Sequence, residues 1–399
     1  MLKKILFLTK EYHHPNISSS GGTGVFYKNL AENLSKRGYE VWVFGSAKKA
    51  VDFQENGIKF HFVKDFFRKN KSKEFFRSLF GKFSYSIPWH NQLYVQEKKY
   101  IVDELQKYLS REKIALDIIE THDWDGISLF LEQTKIPYTV RFHGSWTVLE
   151  KIFGYKNVPP GKKYCEQLAL EKSKNNIVIS KISKTINEGI FHISNPQLIY
   201  NGIDSHIFSN NEKNSKIENS IFYFGNLSKE KGVETALEAF NRIKKDVPNC
   251  TLHFVGKTND YQSKLIDFLP KDVLKDVFFY GSQSFSEIVN LLSKAAVVFF
   301  PSKGENFSLA LLESLSLSKI VICSDIPAFS EIVKHGENGF IAKDIEDFHA
   351  ITLKIFQSST EQISTIENNA RNTVVENFDI SKMTDNTIQY YQTIISEII

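Results

Sequence analysis

Cysteine is scarce in this chain of 399 residues, with only Cys165, Cys250 and Cys323 present. The three are odd in number, far apart and never spaced as C-x-x-C, which argues against a disulfide framework or a cysteine zinc site. Long apolar runs are also missing, since no stretch approaches the roughly 18 apolar residues of a membrane-spanning helix. Lys3 and Lys4 precede only a short apolar run at 5–8, which is too short for the core of a secretory signal. We therefore expect a cytoplasmic protein that meets a membrane only peripherally.

The composition is that of a soluble globular protein, with 42% apolar and 24% charged residues. The length suits two domains of about 150 to 200 residues each. The net charge of +4 hides an asymmetry: residues 1–200 hold 31 Lys/Arg against 20 Asp/Glu, and the remainder hold 19 against 26. The first half thus carries +11 and the second −7. This difference indicates an anionic partner for the first domain, unless it reflects chance in a lysine-rich chain.

Short apolar runs alternate with helix-period segments along most of the chain, a pattern typical of βα units with a parallel sheet. The pattern restarts after a polar segment at 209–219, so we predict two doubly wound, Rossmann-like α/β domains at 1–200 and 201–380. The first series of strands is predicted at 3–9, 40–45, 58–63, 117–120, 138–142 and 176–180, and the second at 221–224, 251–255, 277–280, 297–300 and 320–323. Residues 359–399 are predicted to be helical, and a helix at about 381–399 is expected to pack back on the first domain.

A glycine-rich turn, Gly21-Gly22-Thr23-Gly24, joins the first predicted strand to a helix. Glycines let the backbone approach a ligand closely, and the free N–H groups of a helix start favour a phosphate. By itself this turn is equally compatible with a purely structural role.

A second signal follows the apolar strand at 297–300. Glu305 lies in the loop at the carboxyl end of that strand, a helix is predicted to begin near Phe307, and Glu313 lies further along the helix. A loop carboxylate can accept hydrogen bonds from sugar hydroxyls, and a second carboxylate on the helix can reach a ribose diol. The N–H groups of Phe307, Ser308 and Leu309 are expected to face phosphates.

Taken in order, these motifs resemble the large retaining glycosyltransferase family 4, which has the GT-B fold. Glu305 to Glu313 looks like its E-x7-E motif, and Gly21-Gly22 resembles its glycine loop. The linker motif NGID, the segment FGNL with the following KG, and the segment SDIP also have counterparts in that family; they stand at 201–204, 224–232 and 324–327. The resemblance covers nearly the whole chain.

The resemblance implies a metal-independent enzyme that moves a hexose-type sugar from a nucleotide diphosphate sugar to a glycan or lipid-linked acceptor, with retention of anomeric configuration. UDP is the commonest donor nucleotide of the family, with GDP as the rival. Lys231 would bind the diphosphate and stabilise the departing nucleotide. Glu305 would hold the transferred sugar, and Glu313 the ribose. Gly22 and Thr23 would approach the diphosphate from the other domain, across an interdomain cleft. No bound cofactor is implied, because the nucleotide sugar is a substrate.

One position departs from the family pattern, because Asn226 stands where the family usually has arginine. Asparagine donates hydrogen bonds but brings no charge, and Lys229 is a candidate to compensate. This departure keeps a non-catalytic sugar-nucleotide binder open. A nucleotide-sugar epimerase of the same architecture is a separate alternative, and the E-x7-E and NGID motifs argue against it.

Two histidines follow strands of the first domain. His122, in the sequence His122-Asp123-Trp124, resembles the histidine that lies close to the transferred sugar in glycogen synthases of this fold, and we assign it a functional role. His143 is equally compatible with a donor contact and with a structural role. Asp123 and Asp125 mimic the metal-binding DxD of another glycosyltransferase fold, but the neighbouring motifs belong to the metal-independent type.

The segment 64–83 combines seven Lys/Arg with six phenylalanines and only two acidic residues. Such interleaving is typical of an interfacial helix on an anionic membrane. The alternatives are a helix that buries its phenylalanines in its own domain, and a site for a polyanionic acceptor without lipid. Nucleic acid is not an expected partner, because no nucleic-acid-binding motif occurs.

Overall fold

The computed structural model describes residues 2–17, 21–80, 88–209, 216–258, 261–268 and 270–397. The chain divides into a first unit, residues 1–201 with 380–399, and a second unit, residues 202–379. Parts of three predicted segments lie outside the described residues: 81–83 of the aromatic and basic segment, 210–215 of the polar linker, and 398–399 of the last helix.

The described part of the first unit contains eight strands in one sheet, in the order β3-β4-β2-β1-β5-β6-β7-β8. All neighbours are parallel except β3 and β4. The strands are β1 (Lys4–Leu8), β2 (Glu40–Ala47), β3 (Val51–Glu55), β4 (Ile58–Lys64), β5 (Ile118–His122), β6 (Tyr138–Phe142), β7 (Asn176–Val178) and β8 (Gln197–Leu198). The helices of this unit are α1 (Gly22–Lys36), α2 (Phe66–Lys69), α3 (Lys71–Phe80), α4 (Pro88–Arg111), α5 (Trp146–Lys151), α6 (Pro160–Leu170), α7 (Lys181–Phe191) and, from the end of the chain, α16 (Ile380–Ser396).

The described part of the second unit contains a six-stranded parallel sheet in the order β11-β10-β9-β12-β13-β14. Its strands are β9 (Ser220–Phe224), β10 (Thr251–Val255), β11 (Val277–Gly281), β12 (Val297–Phe300), β13 (Ile320–Ser324) and β14 (Phe340–Ala342). Its helices are α8 (Val233–Asp246), α9 (Tyr261–Phe268), α10 (Lys271–Leu274), α11 (Phe285–Ser293), α12 (Leu309–Ser316), α13 (Pro327–Ser330), α14 (Ile345–Gln357) and α15 (Thr360–Asn377).

The predicted fold class is confirmed, since both units are parallel-sheet α/β domains. Every residue of β12 is buried, as expected of a parallel strand covered on both faces. Short strands at the margins of the sheets were not predicted. β3 is half-exposed and pairs antiparallel at the edge, while β8 and β14 have only two and three residues. Edge strands bury less apolar surface, so their sequences lack a continuous apolar run.

Helix α12 begins at Leu309, two residues later than predicted from the sequence. Ser308 is its N-cap, and the Ser308 hydroxyl accepts a hydrogen bond of 3.3 Å from the Leu311 N–H. A side-chain cap of this kind fixes a helix start more firmly than the hydrophobic period alone.

Helix α16 completes the core of the first unit. The Tyr391 hydroxyl donates to the buried Glu120 carboxylate at 2.5 Å, and the Arg141 guanidinium donates to the Thr387 hydroxyl at 3.0 Å. Arg141 also forms a bidentate ion pair with Glu120, with both side chains fully buried. The last helix is thus bonded to the middle of the sheet by buried, charge-assisted hydrogen bonds.

None of the described helices combines the length and the apolar character that crossing a bilayer requires.

Candidate active site

Strand order places the main sequence motifs of the second unit side by side. β9 lies between β10 and β12, so the crossovers leave the sheet in opposite directions at this point. A ligand crevice in doubly wound sheets is expected at the carboxyl ends of the strands where the order reverses. The loop 225–232 follows β9, and the loop 301–308 follows β12. The two motifs therefore meet at the switch point of the sheet.

Lys231 and Glu305 form the centre of this site. The Lys231 Nζ lies 2.5 Å from Glu305 Oε1, and the Ser302 hydroxyl donates to the same oxygen at 3.0 Å. The side chains are 34% and 11% exposed, respectively, so the lysine is reachable from solvent while the carboxylate is largely enclosed. A cation held at a strand end by a fixed carboxylate is suited to meet an anionic ligand.

Two features shape the loop that carries Lys231. The hydroxyl of buried Tyr223, near the end of β9, donates to the carbonyl oxygen of Asn226 at 2.8 Å and to that of Lys231 at 3.3 Å. Gly232 has φ 71° at the N-cap of α8, and a Cβ at that position would lie 1.8 Å from the Pro301 carbonyl oxygen. Only glycine allows the two site loops to approach so closely.

The start of α12 adds backbone donors and a second carboxyl group. The N–H groups of Ser308 and Leu309 donate to no described residue, and Phe307 precedes the helix with its ring 6.0 Å from that of Phe378. Glu313 is half-buried in α12, and burial raises the pKa of its carboxyl group to about 7. No described residue donates a hydrogen bond to this carboxyl group, so it is available to a ligand hydroxyl.

Asn226 and Lys229 are both exposed on the loop after β9. Lys229 forms no ion pair with a described carboxylate, whereas Lys231, two residues away, is paired with Glu305. The positive charge at the centre of the second unit's site therefore comes from Lys231, and Lys229 adds charge at its margin.

In the first unit, the glycine-rich turn lies after β1, at the corresponding switch point between β1 and β5. Helix α1 begins at Gly22, and the N–H groups of Gly22 and Thr23 donate to no described residue. The preceding N–H, of Gly21, donates to the Glu11 carboxylate at 3.2 Å. Burial raises the pKa of Glu11, against the opposing effects of the Gly21 hydrogen bond and the Lys162 cation.

A buried ion-pair cluster surrounds the turn that follows β5. Lys10 Nζ lies 2.5 Å from both Glu97 Oε1 and Asp125 Oδ2, and Lys98 Nζ lies 2.6 Å and 3.1 Å from the same two carboxylates. Lys162 lies 3.6 Å from the other Asp125 oxygen. Asp125 has φ 67°, a backbone conformation unusual for a residue other than glycine. The pairing therefore fixes a strained turn directly after β5.

His122 is fully buried beside the same cluster. Its Nδ1 lies 3.1 Å from the Trp124 carbonyl oxygen, and the Lys10 N–H donates to its Nε2 at 3.4 Å. Burial lowers the pKa of the imidazole to about 3, so the ring is neutral. The Trp124 ring stacks on it at 4.3 Å. Both ring nitrogens are therefore engaged by the backbone, and His122 offers neither of them to a ligand in this arrangement.

His143 differs from His122 because it is only partly buried. Its ring packs edge-on against Phe26, with centroids 4.5 Å apart. Burial and the nearby Arg141 cation lower its pKa well below the usual value. Its backbone N–H donates to the Asp123 carboxyl group at 3.0 Å. Burial, followed by the charge of Glu166, raises the pKa of Asp123 to about 7.

Several side chains that contact the loops of these two sites were not predicted from the sequence. Lys10 and Glu11 follow β1 directly, and Tyr223 precedes the end of β9, so their position at strand ends was a usable signal. Glu97 and Glu166 lie in the middle of helices and gave no such signal. Asp123 and Asp125 are both occupied by protein partners rather than arranged as an open pair of metal ligands.

Similarity to solved structures covers both units. The sucrose-phosphate synthase of Thermosynechococcus elongatus matches 99% of this chain and 100% of its own, with a TM-score of 0.76 at 17% identity. HepE of Anabaena, in complex with UDP and glucose, matches 98% and 99%, with a TM-score of 0.69 at 17% identity. The fold is that of the GT-B glycosyltransferases, whose two domains are both parallel α/β units.

Sequence comparison identifies the family within this fold class. The model of glycosyltransferase family 4 matches residues 20–206, and the model of glycosyl transferases group 1 matches residues 204–373. A glycosyltransferase of Methanocaldococcus jannaschii is 25% identical over 411 aligned positions, which cover 98% of each chain. The two models are consecutive and together cover most of the sequence, and the chain belongs to glycosyltransferase family 4.

Proposed function

We propose that this protein is a retaining, metal-independent hexosyltransferase that uses a nucleotide diphosphate sugar. The observation that carries the proposal is the Lys231–Glu305 pair at the switch point of the second unit, near the start of α12, where the N–H groups of Ser308 and Leu309 donate to no described residue. A cation and helix-start donors stabilise the negative charge that develops on a departing nucleotide diphosphate. Lys231 is able to supply this charge without a metal ion.

Each polar group of the second unit has a role in this proposal. Lys231 exchanges part of its contact with Glu305 for the donor diphosphate, and the released carboxylate oxygen accepts hydrogen bonds from hydroxyls of the transferred sugar. Ser308 and Leu309 donate their N–H groups to phosphate oxygens. Glu313 accepts hydrogen bonds from the ribose diol once its carboxyl group has lost its proton. Asn226 and Lys229 contact the donor at the margin of the site.

UDP is the nucleotide that we propose. The supporting observation is that HepE, which shares the fold, has been solved with UDP and with UDP-glucose. GDP is the alternative for the same phosphate site, because Lys231 and the α12 N–H groups contact the diphosphate and not the base.

The acceptor that we propose is a glycan or a lipid-linked sugar in the synthesis of a surface polysaccharide or glycolipid. The first unit, with its excess of positive charge, is assigned to this acceptor. The protein is placed in the cytoplasm and peripherally at the inner face of the cell membrane, which it meets through 64–83. The donor contacts of Gly22, Thr23 and His143 stay predictions. For His122 we propose a positioning role, since its ring holds the loop after β1.

A thermal-shift panel of UDP-, GDP- and ADP-sugars tests the donor site first. A ligand that binds only the folded state raises the melting temperature by mass action. We expect one nucleotide class to stabilise the wild type, and Glu313→Ala and Lys231→Ala to reduce that shift. If no sugar nucleotide shifts the wild type at saturating concentration, the donor proposal is wrong.

Product analysis then separates the transferase from an epimerase or a binder. A transferase needs an acceptor to release nucleotide at full rate, and its product keeps the anomeric configuration of the donor. Release of free nucleotide with epimer formation and no acceptor would contradict the proposal. Donor binding without turnover across a panel of glycan and lipid-linked acceptors would do so as well.

A further inference from the structure

Helix α3 of the first unit has an unusual orientation. Its inward positions are polar: the Lys73 ammonium lies 4.8 Å above the ring of buried Phe66, and the Arg77 guanidinium lies 5.0 Å above the ring of buried Phe67. Its outward positions are apolar, with Phe75 63%, Phe76 46% and Leu79 48% exposed. A surface helix ordinarily buries its apolar face and exposes its charges. Here the arrangement is reversed.

The inward contacts show that this orientation is specific. Lys73 Nζ donates to the Gln96 side chain on α4 at 2.6 Å, and Arg77 makes two hydrogen bonds to Glu74, at 2.6 and 2.8 Å. Lys73 thus attaches α3 to α4 and to Phe66, and Arg77 attaches it to Phe67, whereas the Arg77–Glu74 pair lies within α3. The interpretation that the phenylalanines of the whole segment are buried in the domain holds for Phe66 and Phe67 of α2, but not for Phe75 and Phe76.

The exposed side chains form one ridge. The rings of Phe75 and Phe76 lie 5.8 Å apart, and Phe76 lies 6.3 Å from Trp89 at the start of α4, which is 44% exposed. We call Phe75, Phe76, Leu79 and Trp89 the aromatic ridge. Clustered exposed aromatic side chains mark a surface that is covered by a partner.

A cationic cavity is lined in part by residues of the same helix, α3. It has a volume of about 590 Å³ and is lined mainly by basic side chains: Lys48, Lys49, Lys64, Arg68 and Lys71. None of these five forms an ion pair with a described carboxylate. The acidic residue in the lining, Glu74, is already paired with Arg77. The cavity therefore offers positive charge that no described carboxylate pairs with, and two of its lining residues, Lys71 and Glu74, belong to α3, the helix that also carries most of the ridge.

We propose that the aromatic ridge and the cationic cavity form one docking surface for an anionic lipid bilayer. The ridge inserts between lipid head groups, and the cavity holds a head-group phosphate. The basic side chains of the cavity favour an anionic partner. The apolar ridge favours a lipid bilayer over a nucleic acid, because the sugar-phosphate backbone of a nucleic acid has no apolar layer into which Leu79 and the phenylalanines can insert. This inference rests on the membrane contact included in the proposed function and specifies its residues. It does not depend on which sugar nucleotide the protein uses.

Vesicle flotation of the full chain tests the surface without any sugar nucleotide, so that loss of docking and loss of transferase activity are separate results. We expect binding to vesicles that contain phosphatidylglycerol and little binding to pure phosphatidylcholine. Phe75→Ser with Phe76→Ser, and separately Arg68→Glu with Lys71→Glu, are each expected to weaken binding by at least about tenfold. Added salt is expected to weaken the residual binding of the phenylalanine variant more than that of the charge variant.

Matched controls use exposed residues elsewhere. Phe278→Ser with Phe285→Ser replaces two exposed phenylalanines of the second unit, and Lys172→Glu with Lys174→Glu reverses two exposed lysines of the first. Both pairs are expected to bind as the wild type does, and melting curves check that every variant is folded. Equal binding of control and ridge variants would overturn the proposal. Glycerol phosphate bound as tightly as vesicles, or a nucleic-acid duplex bound more tightly, would overturn it too.

Discussion

The two units place polar side chains at equivalent positions but use them differently. Each sheet has a switch point beside its first strand, between β1 and β5 and between β9 and β12, and in each a lysine and a carboxylate stand in the loops at that point. In the second unit, Lys231 is 34% exposed and meets one carboxylate. In the first unit, Lys10 is 14% exposed and meets two carboxylates, which also bind the fully buried Lys98. The same topology thus gives a partly exposed ion pair in one unit and a largely buried ion-pair network in the other.

The physical reason lies in burial. A buried charge is stable only when it is paired and hydrogen-bonded, so Lys10 and Lys98 are held by Glu97 and Asp125 and are less available to a ligand than Lys231 is. A partly exposed pair costs less to open, because water solvates the separated groups. We therefore expect substitutions in the first unit to change stability and substitutions in the second to change ligand binding and turnover.

The largest expected effect is on the free energy of unfolding. Lys98→Met removes a fully buried cation and takes one ion-pair contact from each of Glu97 and Asp125, which should destabilise the protein by about 3–5 kcal/mol. Lys99→Met is the matched control, because the neighbouring Lys99 is 53% exposed and pairs with Asp103 at the surface; its effect should stay below about 0.5 kcal/mol. Urea denaturation measures both. If the two variants lost the same free energy of unfolding, burial would not make the Lys98 ion pairs more important for stability than the surface pair of Lys99.

Lys231→Ala should mainly affect turnover. Loss of a cation that stabilises the departing nucleotide is expected to lower kcat by about 100- to 1000-fold, with little change in melting temperature. Lys229→Ala removes an exposed, unpaired cation from the same loop and should cost less than about tenfold. Steady-state kinetics with the donor found in the thermal-shift panel measures this difference. If Lys229→Ala lowered kcat more than Lys231→Ala, then Lys229 and not Lys231 would supply the charge that stabilises the departing nucleotide.

Glu313 should give the second unit a pH dependence. Burial raises the pKa of its carboxyl group from 4.5 to about 7. Between these pH values the folded protein holds a proton that the unfolded chain has released, so stability falls as pH rises. Glu313→Gln should remove this fall and raise stability at pH 8 by about 1–2 kcal/mol, allowing for partial exposure.

Donor binding should show the opposite trend at the same residue. A ribose diol donates to the ionised carboxylate, so the affinity of the wild type should fall by up to about tenfold for each pH unit below about 7. Calorimetric titration of the nucleotide between pH 6 and pH 8 measures this trend. Glu313→Gln should bind the nucleotide more weakly than the wild type at pH 8, and its affinity should not change with pH. If the affinity of the variant fell below pH 7 as that of the wild type does, Glu313 would be excluded as the ribose contact.

The smallest expected effect concerns His122. Because both of its ring nitrogens are engaged by the backbone, His122→Gln should lower the free energy of unfolding by about 1–2 kcal/mol. The Kd of the donor should change less than about threefold. Stability and donor Kd are measured on the same preparation. A fall in kcat of two orders of magnitude at unchanged stability would instead support the catalytic role indicated by its resemblance to glycogen synthases.

Most of the fold could be predicted from the sequence, because a parallel strand that is buried on both faces consists of a continuous run of apolar residues. The strand at 297–300 and the strand at 138–142 have the predicted bounds. Edge strands escaped prediction because they are short and half-exposed. Glu305 was picked out by its place in the loop after a strand, and Lys231 by the resemblance of its segment to a motif of the family.

The sequence by itself determined the fold class, the two series of βα units and the candidate residues of the second unit, since strand ends and glycines are local features. Only the tertiary structure decided which candidates are accessible. Strand order brought Lys231 to Glu305 across 74 residues, the backbone engaged both nitrogens of His122, and contacts with buried phenylalanines turned the cations of α3 inward and its phenylalanines outward. Accessibility and pairing depend on neighbours that are distant in sequence, and no local pattern specifies them.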